Sequence, residues 1–161
     1  SCFVSKAEVG RWPVVGPMVV LAGTILLERA RRRDAMRVMG LLAQSLKDGR
    51  TAAVFPEGTT GNGHELLGFH GNLLQSAIDA DVPVQPVALR YSDASHPISP
   101  AAAYVGDISL LKSLWWVACA RGMRCHLTVL APQRVTHADR RALAESLRAD
   151  IEWTLNEAMS A

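Results

Sequence analysis

The chain has 161 residues, of which 49% are apolar and 20% charged, a balance typical of one globular domain with a sizeable core. Its formal net charge of +2 is too small to indicate a nucleic-acid-binding protein. The three cysteines, Cys2, Cys119 and Cys125, are an odd number without metal-ligand spacing. They argue against a disulfide framework and against a metal site. No stretch reaches the roughly 18 apolar residues that a membrane span requires.

The first elements along the chain are short, apolar and interrupted by Pro or Gly. They are a strand end at residues 2–5, a helix at 8–12, a helix at 16–22 and a strand at 24–27. Glu28 and Arg29 follow the last of these, so this strand delivers charge at its carboxyl end. Since the chain opens inside a predicted strand and lacks an initiator Met, we expect it to be truncated, with sequence preceding Ser1.

Residues 34–48 form the first long predicted helix, and Gly49 follows where a C-terminal stop is expected. The apolar stripe of this helix, at helical spacing, consists of Ala35, Met39, Leu42 and Leu46. A basic cluster runs from Arg29 to Arg37 around the start of the helix. It could face phosphates or anionic lipid heads, or be no more than a solvated helix start.

The most informative stretch is residues 51–60, which read Thr-Ala-Ala-Val-Phe-Pro-Glu-Gly-Thr-Thr. Residues 51–55 are predicted to be a buried strand, and Pro56 ends it because proline has no N–H for a ladder. Glu57 then stands at the carboxyl end of a strand, where open α/β sheets bind ligands. Backbone N–H groups and Thr hydroxyls of the following Gly-rich loop could hold an anion. The alternative is a strand, a turn and a solvated Glu.

The remaining elements alternate between helices and strands. They are a helix at 71–80, a strand at 82–91 that is irregular until Val87, a short strand at 102–105, a helix at 109–121, a strand at 124–131 and a last helix opened by Thr136 and Asp139 in a capping-box pattern. The last helix carries on one face Leu143, Leu147, Ile151 and Leu155. This alternation predicts an α/β fold with a mixed, mostly parallel sheet flanked by helices.

Several motifs, taken in order, resemble the glycerolipid acyltransferase family, in particular bacterial 1-acyl-sn-glycerol-3-phosphate acyltransferases, over about residues 2–90. Phe-Pro-Glu-Gly-Thr at residues 55–59 resembles the third motif of that family. Gly-Thr-Ile-Leu-Leu-Glu-Arg at residues 23–29 resembles the second, and Val-Pro-Val-Gln-Pro at residues 82–86 the fourth. The resemblance implies a single acyltransferase domain over residues 1–161 with the glycerol-3-phosphate acyltransferase-like fold.

The chain departs from the family pattern at three places. Thr60 stands where an Arg often follows the third motif, and His70 replaces the Lys of a Phe-Lys-Gly sequence. The first family motif, a His and an Asp with four residues between them, is absent, since no histidine of the chain has an Asp five positions on. The resemblance therefore implies that the catalytic His–Asp dyad precedes Ser1, and that this chain alone, without a catalytic residue, is inactive.

The implied reaction moves a fatty acyl group from acyl-CoA or acyl-carrier protein to the free hydroxyl of a lysophosphatidate, making phosphatidate for phospholipid synthesis. By resemblance, Arg29 and Lys6 would bind the acceptor phosphate, which suits an Arg fork. Glu57 would accept a hydrogen bond from a glycerol hydroxyl or orient those two cations. The N–H groups of Gly58 and Thr59 would donate hydrogen bonds to the phosphate. No cofactor and no metal are implied. The alternative for Glu57 is a salt bridge that braces the turn.

The expected partners are the lysophospholipid acceptor, the acyl donor and a membrane surface, with no nucleic acid. The expected location is the cytoplasmic face of a bacterial inner membrane. Trp115 and Trp116, beside Lys112 and Arg121, could mark a helix at a lipid interface, or they could pack in the core. Rival functions are an acyltransferase for glycerol-3-phosphate or for another lysolipid, such as an amino-acid-linked one, and a non-catalytic lipid- or phosphate-binding module.

Overall fold

The computed structural model describes residues 2–6, 16–17, 21, 24–27, 32–135 and 139–160. Within them the elements are, in chain order, β1 Cys2–Lys6, β2 Ile25–Leu27, α1 Arg32–Lys47, β3 Ala52–Ala53, α2 Gln75–Ala80, β4 Val87–Ser92, α3 Leu110–Cys119, β5 Arg124–Val129 and α4 Arg140–Ser160. No helix among these residues has the length and apolarity needed to span a membrane. Strands that alternate with helices are the pattern predicted for an α/β fold.

A parallel sheet is built around β1, with β2 on one side and β3 on the other. Lys6 at the end of β1 is opposite Leu27 at the end of β2. Phe3 of β1 is opposite Ala53, the last residue of β3. Because all three strands run in one direction, their carboxyl ends lie toward the same edge of the sheet.

The strand predicted over residues 51–55 is shorter in the structure. Only Ala52–Ala53 pairs with β1, and Phe55 is 61% exposed rather than buried. Pro56 has no N–H with which to extend the ladder and also restricts the residue before it. The chain therefore leaves the sheet two residues earlier than the apolar run predicted.

The helix α1 supplies the core beside this sheet. Leu42 is 2% exposed, as its place in the predicted stripe requires, and Val38, which that stripe omitted, is completely buried. The Ser76 hydroxyl of α2 donates a hydrogen bond to the Met39 carbonyl of α1 at 3.1 Å, so α2 packs directly on this face. Gly49 follows the helix with φ +76°, which confirms it as the C-terminal stop.

The chain divides into two compact units, which we call the first and the second unit. The first unit comprises residues 1–56, 70–84 and 134–143, and the second comprises residues 57–69, 85–133 and 144–161. In the second unit, β4 and β5 form an antiparallel pair in which Val87 is opposite Val129. The buried apolar residues of this unit are Ala88, Ala144 and Leu147. A single acyltransferase domain over the whole chain stays a prediction.

Other sequence predictions are confirmed or corrected by the described residues. The strand that was expected to become regular at Val87 does so. The helix predicted over 71–80 is helical only at Gln75–Ala80. The short strand predicted at 102–105 is wrong, because Pro100–Ala102 forms a 3₁₀ turn instead. There the N–H groups of Ala102 and Ala103 donate locally, to the carbonyls of Ser99 and Pro100, so they are not available to a strand partner.

The start of α4 also differs from its prediction. Asp139 was expected inside the first turn, three residues after a capping Thr136. Instead Asp139 precedes the helix and is itself the cap, since its carboxylate accepts the N–H groups of Arg141 at 2.8 Å and Ala142 at 3.0 Å. These two donors lower the pKa of the Asp139 carboxyl. Thr136, the helix predicted at 8–12 and most of the helix predicted at 16–22 lie outside the described residues.

Candidate functional site

The loop at residues 57–69 begins with Glu57, four residues after β3 ends at Ala53. Its flanking residues are joined, because the His70 N–H donates a hydrogen bond to the Pro56 carbonyl at 2.8 Å. Inside the loop, Oε2 of Glu57 accepts the Leu67 N–H at 3.0 Å. The carboxylate predicted at the strand end therefore has a fixed position, with one oxygen engaged by the far side of its own loop.

A second brace comes from Arg148 of α4. Its guanidinium donates from Nη2 to the Leu66 carbonyl at 2.8 Å and from Nε to the Leu67 carbonyl at 3.2 Å. The same side chain forms a bidentate pair with Glu152, with both contacts at 3.0 Å, which is the geometry that suits an Arg fork. Sequence reasoning missed Arg148, since the only local signal was the spacing of an Arg and a Glu four residues apart on a helix.

The turn after Glu57 requires its glycine. Gly58 is buried and has φ +74°, a conformation in which a side chain with a Cβ would be strained. Thr59 and Thr60, which follow, are exposed. The turn thus presents two hydroxyl-bearing residues to solvent next to the carboxylate. The role predicted for Gly58 and Thr59 in meeting a phosphate stays a prediction.

Of the two predicted cations, only Lys6 lies in a strand of the parallel sheet that the structure describes. Lys6 is the last residue of β1 and lies opposite Leu27 in the ladder; nothing is described of its side chain. Arg29, two residues beyond Leu27, lies outside the described residues. The pairing of Arg29 or Lys6 with Glu57 therefore stays a prediction.

A His–Asp pair also occurs in the second unit, at a spacing that no sequence motif had indicated. The Asp93 carboxylate contacts Nδ1 of His96 at 2.9 Å, and it accepts the Ser99 hydroxyl at 2.6 Å and the Ser95 N–H at 2.8 Å. These hydrogen bonds, of which the one from the Ser99 hydroxyl has the largest effect, hold the pKa of the Asp93 carboxyl well below its usual range. Because Asp93 ties together the turn that begins with it, we interpret this pair as a loop brace.

This second loop lies beside the first. A Cβ placed on Gly63 would be 3.0 Å from Cγ2 of Ile98, so a side chain at that position would require the Ile98 side chain to shift. His64 is exposed, and its N–H is held by the Asn62 side chain at 3.0 Å, while His70 is exposed as well. Among the described residues, no three His, Cys, Asp or Glu side chains group closely enough to hold a metal ion.

Comparison with known proteins places these features in context. The model of the family described as Acyltransferase matches residues 1–90. A lyso-ornithine lipid O-acyltransferase of Pseudomonas aeruginosa is 37% identical over 95% of this chain and 58% of its own length. A 1-acyl-sn-glycerol-3-phosphate acyltransferase of Neisseria meningitidis is 34% identical over 94% of this chain and 59% of its own.

A solved structure gives the same picture of the fold. The 1-acyl-sn-glycerophosphate (LPA) acyltransferase PlsC of Thermotoga maritima aligns with all of this chain and 58% of its own, with a TM-score of 0.66 and 20% identity. This similarity confirms the predicted α/β fold class. The chain spans somewhat less than two thirds of the length of these relatives.

Proposed function

Because the chain belongs to the Acyltransferase family, we propose that the complete protein transfers a fatty acyl group to the free hydroxyl of a lysolipid. The donor is acyl-CoA or acyl-carrier protein, and no cofactor takes part. The first candidate acceptor is lysophosphatidate, which would give phosphatidate for phospholipid synthesis. The observation that carries the proposal is the Glu57 carboxylate, fixed by the Leu67 N–H at 3.0 Å four residues after the last residue of β3.

Glu57 is suited to a hydroxyl rather than to a phosphate. Its Oε2 is engaged by Leu67, while Oε1 has no hydrogen-bond partner among the described residues. An ionised carboxylate only accepts hydrogen bonds, so it can accept one from a glycerol hydroxyl or orient a cation. The acceptor phosphate requires positive partners, and we propose Arg29 and Lys6 for this role, with the N–H groups of Gly58 and Thr59.

The chemical step needs a base in addition to this binding loop. The acceptor oxygen attacks the thioester carbonyl, the carbon–sulfur bond breaks, and the thiol leaves with the proton that the hydroxyl gave up. A hydroxyl is a weak nucleophile at neutral pH, and a His held by an Asp is the usual base. We propose that such a dyad precedes Ser1, and that the described residues position the acceptor for it.

A second acceptor class is favoured by a specific observation. The relative at 37% identity is a lyso-ornithine lipid O-acyltransferase, and this chain has Thr60 and His70 at positions where the family often has cations. An ornithine headgroup carries an amine and a carboxylate instead of a phosphate, so it needs fewer cations. Lyso-ornithine lipid is therefore the rival of lysophosphatidate within the same reaction.

The location is part of the same proposal. A lysolipid acceptor and its acylated product both partition into a bilayer. The reaction would then take place at the cytoplasmic face of a bacterial inner membrane. Separation of cell membranes from cytosol, followed by immunodetection of the protein in each fraction, tests this location.

The deciding experiment is acyl transfer by the complete protein and by its Glu57→Gln variant, with Glu65→Gln as the matched control. Glu65 is an exposed residue of the same loop. We expect Glu57→Gln to lower kcat/KM for the lysolipid by about 100-fold, in the range seen when a positioning group is lost, and Glu65→Gln to change it less than twofold. Equal turnover by Glu57→Gln and the unmodified protein contradicts the proposed role.

The same assay separates the acceptors. Lysophosphatidate, lyso-ornithine lipid and glycerol-3-phosphate are offered together with one labelled acyl donor, and the products are compared. The acceptor with the highest kcat/KM is the substrate class. Lysolipid binding without any turnover would instead support a non-catalytic binding module.

A further inference from the structure

The helix α3 presents its apolar side to solvent. No residue of this helix is buried, and Leu111 is 80%, Trp115 68% and Leu114 53% exposed. These three residues recur at the three- and four-residue spacing that places side chains on one helix face. In a surface helix of a globular protein such a face normally packs on the core, whereas here it is open to solvent.

Positive charge accompanies this apolar face. The Lys112 ammonium lies over the Trp116 ring, 5.1 Å from its centroid, and Arg121 and Arg124 follow the helix as exposed residues. Residues 100–133 contain these three basic residues and a single acidic one, Asp107. Lysine stems and tryptophan rings both combine an apolar body with a polar end, the property that suits the boundary between lipid and water.

We propose that α3 is a docking helix that lies on the surface of an anionic lipid bilayer. Leu111, Leu114 and Trp115 would enter the headgroup region, while Lys112 and Arg121 contact lipid phosphates. The inference rests on the proposed function, because a lysolipid acceptor is itself dissolved in a bilayer. It adds to that function the surface by which the protein reaches its acceptor.

Charge complementarity favours a membrane over a protein as the occupant. The chain offers an internal contrast in Trp153 of α4, which is 66% exposed but stands next to Glu152 and four residues before Glu157. Arg148 neutralises Glu152, but Asp150 and Glu157 leave the helix around Trp153 with a net negative charge, whereas the Trp residues of α3 are accompanied by cations. Trp153 thus provides a control with similar exposure and opposite local charge.

The experiment is co-sedimentation of the full chain with vesicles of phosphatidylglycerol and phosphatidylethanolamine, and with vesicles of phosphatidylcholine alone. We expect binding to the anionic vesicles that falls at least tenfold in the variant with Leu111→Glu and Trp115→Glu, and at least threefold in Lys112→Glu. Trp153→Glu should change it less than twofold. Equal vesicle binding by the α3 variants and the unmodified protein overturns the proposal, as does equal binding to neutral vesicles.

A measurement on the unmodified protein guards against variants that fail to fold. Hydrogen exchange at residues 110–119 should slow when anionic vesicles are added, and exchange in α1 should not change. If exchange in α3 is unaltered, or if the α3 variants instead abolish self-association without affecting vesicle binding, the proposal is wrong. Acyl transfer by the complete protein to a detergent-dispersed lysolipid separates the two ideas: it should persist in the α3 variants, and its absence in every form would refute the proposed reaction but not the docking.

Discussion

The two units of the molecule differ in how they use apolar residues. In the first unit Val38 and Leu42 of α1 are buried, and among the described residues they form a core with Leu74, Ala77, Val135 and Leu143. In the second unit, helix α3 is more apolar than α1, yet none of its residues is buried. Periodicity therefore predicts that a segment is a helix, but whether the apolar face packs depends on what the rest of the chain places against it.

The second unit relies on polar contacts where the first relies on burial. Arg148 is hydrogen-bonded to the carbonyls of Leu66 and Leu67, and Asp93 ties its own turn to Ser99. The apolar side chains of the β4–β5 pair are largely exposed, including Leu127 and Val129. Substitutions that remove apolar volume should therefore destabilise the first unit more than the second. Substitutions that remove polar contacts should destabilise the second unit more than the first.

The largest effect is expected from truncation in the core of the first unit. Leu42→Ala should lower the free energy of unfolding by about 2–5 kcal/mol, because a buried side chain leaves a cavity. Leu114→Ala, in the exposed face of α3, should lower it by less than about 0.5 kcal/mol. Urea denaturation followed by circular dichroism measures both. Similar losses in the two variants would remove the contrast between the units.

A smaller effect is expected from the polar brace of the Glu57 loop. Arg148→Met should lower the free energy of unfolding by about 1–3 kcal/mol, because two backbone carbonyls lose a charged donor. It should also reduce acyl transfer by about tenfold, since the loop that carries Glu57 is less well positioned. Arg141→Met, an exposed residue of the same helix, is the control. Unchanged stability and turnover in Arg148→Met would show that the brace is dispensable.

The smallest effect is the pH dependence that Asp93 of the second unit contributes. The pKa of Asp93 is lowered in the folded state, so its carboxylate stabilises the fold above the unfolded-state value of about 3.9. This contribution is lost as the pH falls below about 4 toward the folded-state pKa. In Asp93→Asn the group cannot ionise, so we expect a lower Tm at pH 7 and a shallower decline of Tm below pH 4.

Thermal unfolding at several pH values between 3 and 7 checks this prediction, with Asp107→Asn as the exposed control. The Asp107 variant should follow the unmodified protein throughout. An Asp93→Asn variant whose Tm declines as steeply in acid as that of the unmodified protein would contradict the assignment of the acid-sensitive contact to this turn.

The sequence predicted most of the elements, because hydrophobic spacing and Gly or Pro punctuation are local signals. The α1 helix, its stop at Gly49 and the late start of β4 at Val87 follow from such signals. The length of β3 could not be predicted from such signals, because the end of its pairing depends on β1 and on Pro56. The prediction that Asp139 lies inside the first turn was also wrong. The same residues fit a capping pattern in more than one alignment with the start of a helix.

The candidate site could be predicted only in part. Glu57 stood out because it follows a strand and precedes glycines, and the structure fixes its carboxylate within the loop. Arg148 could not be found in this way, since the carbonyls that it binds are more than 80 residues away in sequence. Contacts over such a distance depend on tertiary packing, which no local pattern records.

The hydrogen bond between the Pro56 carbonyl and the His70 N–H has an evolutionary consequence. It joins the two residues that flank the segment 57–69. Changes of sequence or length within this segment therefore need not disturb the strand before it or the helix after it. Under the proposed function the segment carries the Glu57 contact to the acceptor, so natural selection can vary that contact by exchanging one segment. Grafting the corresponding segment from a relative would test whether the exchange alters acceptor preference.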